Sequence, residues 1–506
     1  MLCNALVALL PLLLQPVSAV PLENLHTRQQ STFVDCLSKG DVPIVLASDT
    51  SFSQLSSPYN RRLKYTPLTI TLPTTILHIS TTVKCASQFK IRVNARGGGH
   101  SYSAQALGGE DGHVVVDMQN FHDVVYNQST TYAEVGGGAR LGNIAQKLYD
   151  QAKRAIPHGT CPAVGMGHPS LGGFGISSRN WGLMVDSIAK VEVITADGRL
   201  RLAKPTYNGD LLWALRGAGP SFGIITKFYF NTVPATESIV NYSYSFSGLS
   251  ASNAAAAFIT IQKFALTAPK ELGLGVSLWG SGTNFEMSGA YYGKTMDDFT
   301  SLFQPLLSQL PQPSSSTVNM KGWIDTLIRF AGASTLSVPE TGYNEHTAFF
   351  AKSLVTPQGS PLTLEQMTSF FNYAATKGPE ASNQGLPWFV IINLYGGGNS
   401  AITNTALLEQ TSYGHRDTLW NFQLYATINN LSPASNASSI TFVDGFDRSV
   451  RRSGDGAYVN YADPTLSPDE SHTLYYGEQY AKLSQLKKKW DKNQVFWYPQ
   501  GIYPAP

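Results

Sequence analysis

The apolar positions change period several times along this chain. Leu68, Ile70 and Leu72 alternate with threonines, the period of a half-buried strand. Thr75 to Gln88 then reads as a helix carrying Cys85. Ile91, Val93 and Ala95 alternate again and lead into three consecutive glycines. Val114-Val115-Val116 predicts a buried strand, and Tyr132 to Val135 another. From Arg140 to Lys153 the apolar residues fall at Leu141, Ile144, Leu148 and Ala152. That is helical spacing, with one face to pack on a sheet. Ile188 to Ala196 and Leu200 to Ala203, turned at Asp197-Gly198, predict a hairpin. Asp210 to Gly217 reads as a short helix and Phe222 to Phe230 as a strand. Residues 61–232 therefore read as one mixed α+β domain, preceded by a polar lead-in over 20–60.

After Pro234 the character shifts. Strand patterns at Ser238–Phe246, Gly273–Trp279 and Glu286–Tyr292 alternate with helices at Asn253–Leu266, Asp297–Leu310 and Leu364–Thr376. This predicts an antiparallel sheet with helices on one face, taken as a substrate domain over 233–450. A last segment, 451–506, holds Tyr458-Val459-Asn460-Tyr461-Ala462-Asp463 and a helix from about Asp469 to Lys489. No internal repeat or low-complexity linker interrupts this order.

Composition narrows the class. With 506 residues, 14% charged and a net charge of +2, the chain suits a folded soluble protein of two or three domains. No basic patch points to nucleic acid. Leu6 to Leu14 is a short apolar core followed by Val17-Ser18-Ala19, the pattern of a secretory signal peptide over 1–19. A membrane span needs about 20 apolar residues, and Pro11 and Gln15 interrupt this run. A secreted protein without a membrane anchor is expected. Acceptor sequons stand at Asn127, Asn241, Asn430 and Asn436, compatible with glycosylation.

The chemistry concentrates between Arg96 and Gly165. Three glycines directly after a strand mean close backbone approach or positive φ, since only a residue without Cβ permits either freely. N–H groups freed in such a turn can hold an anion such as a pyrophosphate. His100 follows the glycines, and Cys161 lies in a second glycine-flanked segment. Two nucleophilic side chains are thus placed near one ligand. In this order, Gly97-Gly98-Gly99-His100-Ser101-Tyr102 and Thr160-Cys161-Pro162-Ala163-Val164-Gly165-Met166-Gly167-His168 resemble the berberine-bridge-type FAD-linked oxidases, of vanillyl-alcohol-oxidase-type flavoprotein fold. The resemblance covers nearly the whole mature chain and looks closest to the fungal oligosaccharide-oxidase-like branch. The tail over 451–506 resembles the berberine-bridge C-terminal motif, which returns to the flavin domain.

That resemblance implies a PCMH-type FAD-binding domain and FAD bonded covalently to both His100 and Cys161. It implies that Gly97, Gly98, Gly99 and Ser101 cradle the pyrophosphate side. Val164, Gly165, His168, Gly172, Gly173 and Gly175 would form a second wall, and Phe222, Gly223 and Ile224 the adenine side. Tyr461 matches the family's catalytic tyrosine, the base for a substrate hydroxyl as hydride moves to the flavin. A free tyrosine has a pKa of about 10, so its surroundings would have to lower it. Where the sugar-oxidising branch has an aspartate beside this tyrosine, the chain has Asn393, whose amide can orient a hydroxyl but cannot take its proton. Tyr102, Trp279, Ile391, Tyr395 and Gln423 are the expected substrate contacts. A pocket of Trp279, Ile391, Ile392 and Tyr395 is poor in partners for sugar hydroxyls. The expected substrate is therefore a small secondary-metabolite intermediate, with O2 as acceptor and the chain acting as a monomer. Oxidation of a reducing-end sugar to its lactone is the alternative.

Cysteine counting fits this picture. Cys3 leaves with the signal, Cys36 and Cys85 remain for a disulfide, and Cys161 is left over, which a thioether to flavin would explain. Other chemistries lack their context. Gly219-Pro220-Ser221-Phe222-Gly223 matches the serine-hydrolase elbow but lacks the strand before it and the helix after it. Metal-ligand spacings and a dinucleotide fingerprint between strand and helix are missing.

Overall fold

The computed structural model describes residues 32–280, 282–293, 295–342 and 345–506. The expected signal peptide and Cys3 lie outside the described residues. The N-terminal half carries two small sheets. A four-stranded sheet runs in the order Ile44–Val45, Thr69–Thr71, Val114–Asp117, Val93–Arg96. Its pairs with Val114–Asp117 are parallel, and the helix Ile76–Phe89 provides the crossover between strands. Thr75 caps that helix by accepting the His78 N–H. Cys36 and Cys85 form a disulfide, tying residues 32–38 to the same helix. A five-stranded antiparallel sheet follows, in the order Val124–Asn127, Tyr132–Gly136, Ile224–Asn231, Ile188–Ile194, Leu200–Ala203.

The C-terminal half is built on a seven-stranded sheet whose pairs are all antiparallel. Its order is Ser315–Lys321, Ile239–Phe246, Phe285–Tyr291, Leu272–Trp279, Trp388–Leu394, Thr418–Thr427, Phe349–Pro357. In Trp388–Leu394 the even positions are buried and the odd ones half-buried. Val390, Ile392 and Leu394 join the core under the helices Ala251–Ala265, Met296–Leu307, Leu364–Asn383 and Pro433–Val450. Phe389, Ile391 and Asn393 therefore face the other way, toward the N-terminal half.

Two of the buried cations tie the halves together. The Arg179 guanidinium donates to the carbonyls of Gly396, Pro269, Leu272, Ala268 and Gly397. Arg416 makes a bidentate pair with Asp186 at 2.6 and 3.0 Å. Such buried charges persist because most of their donors are satisfied.

The expected helix over 469–489 is two helices, Pro468–Tyr476 and Tyr480–Asp491. Gly477 stands between them at φ +51°, a helix stop by its conformation. The sequon at Asn241 falls on a central strand. Its side chain is 1% exposed and donates to Thr326 Oγ1 at 2.8 Å, so in the folded chain this amide is closed to a glycan.

No helix among the described residues is long and apolar enough to cross a membrane. No cluster of His, Cys, Asp and Glu among them could hold a metal.

Candidate active site

One cavity of about 500 Å³ lies between the glycine loops of the N-terminal half and the free face of the seven-stranded sheet. The strand Val93–Arg96 delivers Gly97 to Gly99 onto its floor, and Gly99 turns the chain at φ +77°. The two glycine segments touch backbone to backbone. A Cβ on Gly98 would lie 2.7 Å from Gly165 Cα, and one on Gly165 would lie 2.5 Å from Gly98 Cα. Arg140, buried at the start of the helix Leu141–Ala152, donates to Gly98 O at 3.0 Å and to Ala163 O at 2.6 Å. It binds both walls to one guanidinium.

His100 and Cys161 both open onto this cavity. Burial pushes the His100 imidazole down to about 4, helped by the positive Arg140, so the ring is neutral and nucleophilic at ordinary pH. Cys161 is a free thiol exposed to the cavity. Enough protein still surrounds it for desolvation to push its pKa up, while the Ala163 backbone pulls the other way. His168 also lines the cavity, and its Nε2 accepts the Gly159 N–H at 3.1 Å. Burial holds this ring neutral, with its pKa at about 3.

The C-terminal segment closes the second wall. Tyr458 Oη accepts the N–H groups of Gly173 and Phe174 at 2.9 and 3.1 Å. Asn460 Nδ2 donates to Tyr458 Oη at 2.8 Å and to His168 O at 3.2 Å. Tyr461 then lines the cavity, its ring stacked 5.8 Å from Tyr102. Burial pushes the Tyr461 phenol well above its usual pKa, and Tyr458 adds to this. The expected lowering is absent from this arrangement, because among the described residues no donor or cation acts on the phenol.

The sheet face above presents neutral polar groups. Gly275 pairs with Asn393 and with Ser288, and Ser277 pairs with Ile391, which pairs with Gln423. Ser277, Ser288, Asn393 and Gln423 all line the cavity. Gln423 Nε2 donates to Tyr102 Oη at 2.7 Å, and the Asn393 amide makes no hydrogen bond within the described residues. No Asp, Glu, Lys or Arg is among the described residues that line it.

The apolar pocket expected from sequence does not form. Of its four residues only Ile391 lines the cavity. Ile392 is buried on the helix side. Tyr395 is fully buried, stacked 4.2 Å from Phe174, and its Oη accepts from Asn421 at 2.9 Å. Trp279 ends its strand 50% exposed, outside the lining.

The remaining expected residues divide. Gly97, Gly98, Gly99, Ser101, Tyr102, Val164, Gly165, Gly175 and Gly223 line the cavity. Gly172 and Gly173 brace the wall through Tyr458, and the side chains of Phe222 and Ile224 lie in the apolar cores. Ser221 of the elbow-like motif is buried, its Oγ accepting from Ile502 N–H. Sequence reasoning missed Tyr59, Ser288, Asn460 and Arg140. Asn460 stood inside a motif already singled out, and Arg140 stood at a visible helix start; nothing local marked the other two.

Comparison with known proteins agrees with this geometry. A family model described as "FAD binding domain" matches residues 67–203, and one described as "Berberine and berberine like" matches residues 457–503. A xylooligosaccharide oxidase of Thermothelomyces thermophilus is 35% identical over 502 residues, 98% of this chain and 99% of the relative. A solved xylooligosaccharide oxidase from Myceliophthora thermophila C1, in complex with xylobiose, superposes with TM-score 0.87 at 35% identity, covering 94% of this chain and 99% of that one. A glucooligosaccharide oxidase structure from Acremonium strictum, described for its 6-S-cysteinyl, 8α-N1-histidyl FAD, gives TM-score 0.87 at 30% identity over 94% and 99% of the two chains.

Proposed function

The chain belongs to the berberine-bridge-type FAD-linked oxidases, and from that premise we propose that it oxidises the reducing end of an uncharged oligosaccharide to the lactone, with O2 as acceptor. The observation that carries this reading is the lining of the cavity. Ser277, Ser288, Asn393 and Gln423 offer hydroxyl and amide partners, Tyr102 and Tyr461 offer rings, and the described lining residues include no Asp, Glu, Lys or Arg. Buried sugar hydroxyls need such partners. The smaller apolar metabolite favoured by the sequence loses its main support, because Ile392, Tyr395 and Trp279 are not in the lining.

FAD fits the floor. The glycine segments pack backbone to backbone beneath it, Gly167 faces open space, and both His100 and Cys161 border the same cavity. The two residues hold the cofactor covalently, as in the glucooligosaccharide oxidase. Bound FAD supplies the two-electron chemistry, accepting hydride from substrate and returning the electrons to O2 as hydrogen peroxide. Tyr461 receives the proton of the reacting hydroxyl, and Asn393 orients that hydroxyl without taking its proton. The raised phenol pKa makes proton removal the pH-sensitive part of the reaction. Residues 1–19 direct secretion, consistent with the disulfide, a bond that persists in oxidising compartments. The chain acts as a monomer and carries glycans at Asn127, Asn430 and Asn436.

A peroxide assay over a panel of neutral oligosaccharides tests this. Sugars with a free reducing end should release peroxide, and the same sugars reduced to alditols should not. Flavin bleaching by phenols or polyketides, with none by any reducing sugar, would overturn the substrate assignment.

A further inference from the structure

The polar lead-in has a part in the site that its sequence does not announce. Tyr59 lies against the His100 imidazole with ring centroids 4.4 Å apart and planes 28° apart. His100 itself follows Gly99, which turns the chain at φ +77°, a conformation that a residue without Cβ adopts freely. The stacked tyrosine covers one face of the imidazole and restrains its plane.

Tyr59 is in turn held from the sheet domain. Its carbonyl accepts the Thr347 N–H at 2.9 Å, and the Arg61 N–H donates to Thr347 O at 2.9 Å. Asn60, 1% exposed, donates to Tyr102 O at 2.9 Å. The Tyr59 ring meets Phe349 edge-on at 5.6 Å. A loop far from His100 in sequence is thus clamped by residues 347–349 so that its ring covers His100.

We propose that Tyr59 is the positioning residue for covalent attachment at His100: it holds the imidazole in the plane from which a ring nitrogen bonds to the flavin. This rests on the proposed double attachment of FAD. In forming that link, a C–H bond of the flavin's ring methyl and the imidazole N–H break and one C–N bond forms. The two hydrogens leave with their electron pair on O2, as hydrogen peroxide. Orientation matters here because a nucleophile held in a near-attack geometry gains greatly over a freely rotating one. Attachment at Cys161 does not involve this stack and should proceed without it.

Tyr59→Leu removes the aromatic plane while keeping an apolar side chain, and Tyr59→Phe keeps the plane. The readout is mass spectrometry of proteolytic peptides from purified protein expressed with flavin available. In wild type and Tyr59→Phe the His100 and Cys161 peptides should be joined through flavin. In Tyr59→Leu flavin should stay on the Cys161 peptide, with the His100 peptide at least tenfold more often unmodified. Full cross-linking in Tyr59→Leu would overturn the proposal. Acid precipitation in a Cys161→Ser background gives a second test. There Tyr59→Leu should release its flavin and Tyr59→Phe should retain it, while equal retention by both would overturn the role of the ring. Release of all flavin by Cys161→Ser alone would overturn the double attachment itself, and the proposal with it.

Discussion

Gly98→Ala is the sharpest single test of how the floor is built. The added Cβ would collide with Gly165 N and lie 2.7 Å from Gly165 Cα and 3.1 Å from Ala163 O. Ordinary contact begins at 3.4 Å, so the two backbone segments must part by at least about 0.7 Å in a close-packed interior. Neither neighbour is a flexible side-chain end, and Arg140 holds both segments. The cost should lie near the upper end of the overpacking range, about 3 kcal/mol. For a chain of this length melting as one unit, that lowers Tm by about 3 °C. Function should suffer more, since displacing a positioned group by about 1 Å can cost roughly 100-fold in rate. The assay is flavin absorbance per protein, with Tm and peroxide release on the same preparation. Gly209→Ala is the control, because its nearest neighbour would lie at 3.8 Å, and it should be silent. Gly167→Ala separates folding from cofactor: nothing lies within 4 Å of its Cβ, so Tm of the flavin-free protein should hold while flavin content falls. A Gly98→Ala protein with full flavin, unchanged Tm and full activity would refute the packing argument.

Four further outcomes follow from the site and the fold. Tyr461→Phe should retain flavin and substrate binding but slow flavin reduction by about 10²- to 10⁴-fold, measured by stopped-flow bleaching. Because burial raises the phenol pKa, the wild-type reduction rate should keep climbing through pH 9, and a plateau near neutrality would contradict this environment. Burial holds His158, next to Gly159 at the start of the second glycine segment, and His168 at folded pKa values of about 4 and about 3, below the unfolded value of about 6.5. The unfolded chain therefore binds protons first as pH falls, so stability should be flat above about pH 7. From pH 6.5 to 4 these two histidines alone should contribute a downward slope of up to about 2.7 kcal/mol per pH unit, read from urea midpoints. Arg179→Met should cost about 3 kcal/mol or more by urea unfolding, because several buried carbonyls lose their donor at about 1 kcal/mol or more each. Arg179→Lys should recover part of that.

Much of the fold was legible because strands and helices here keep clean periods. The alternation in Ile188–Ile194 and Ile224–Asn231, and the helical stripe of Leu141–Ala152, appear where the sequence puts them. The cofactor floor was legible for a different reason: glycines in close backbone contact cannot be replaced by other residues, so they stand out as a motif. The substrate face was less so. Tyr395 keeps the parity of Ile391 and Asn393, but the strand stops at Leu394, and past its end alternation no longer says where a side chain points. Trp279 has the right parity but ends its strand beyond the cavity. Tyr59 reaches His100 only through contacts with residues 347–349, pairings that no local pattern carries. Asn241 matches an acceptor sequon, yet a three-residue motif is blind to the strand that buries it. Gly477 is a readable stop inside the span 469–489 expected as one helix.

The central claim is that His100 and Cys161 flank one flavin and both bond to it. Acid precipitation of the purified protein, followed by absorbance of pellet and supernatant, tests this most directly. Yellow should remain in the pellet of wild type and of each single variant, His100→Ala and Cys161→Ser, and move to the supernatant only when both are replaced. Yellow in the wild-type supernatant, or a folded protein that stays colourless with flavin supplied, would contradict the account.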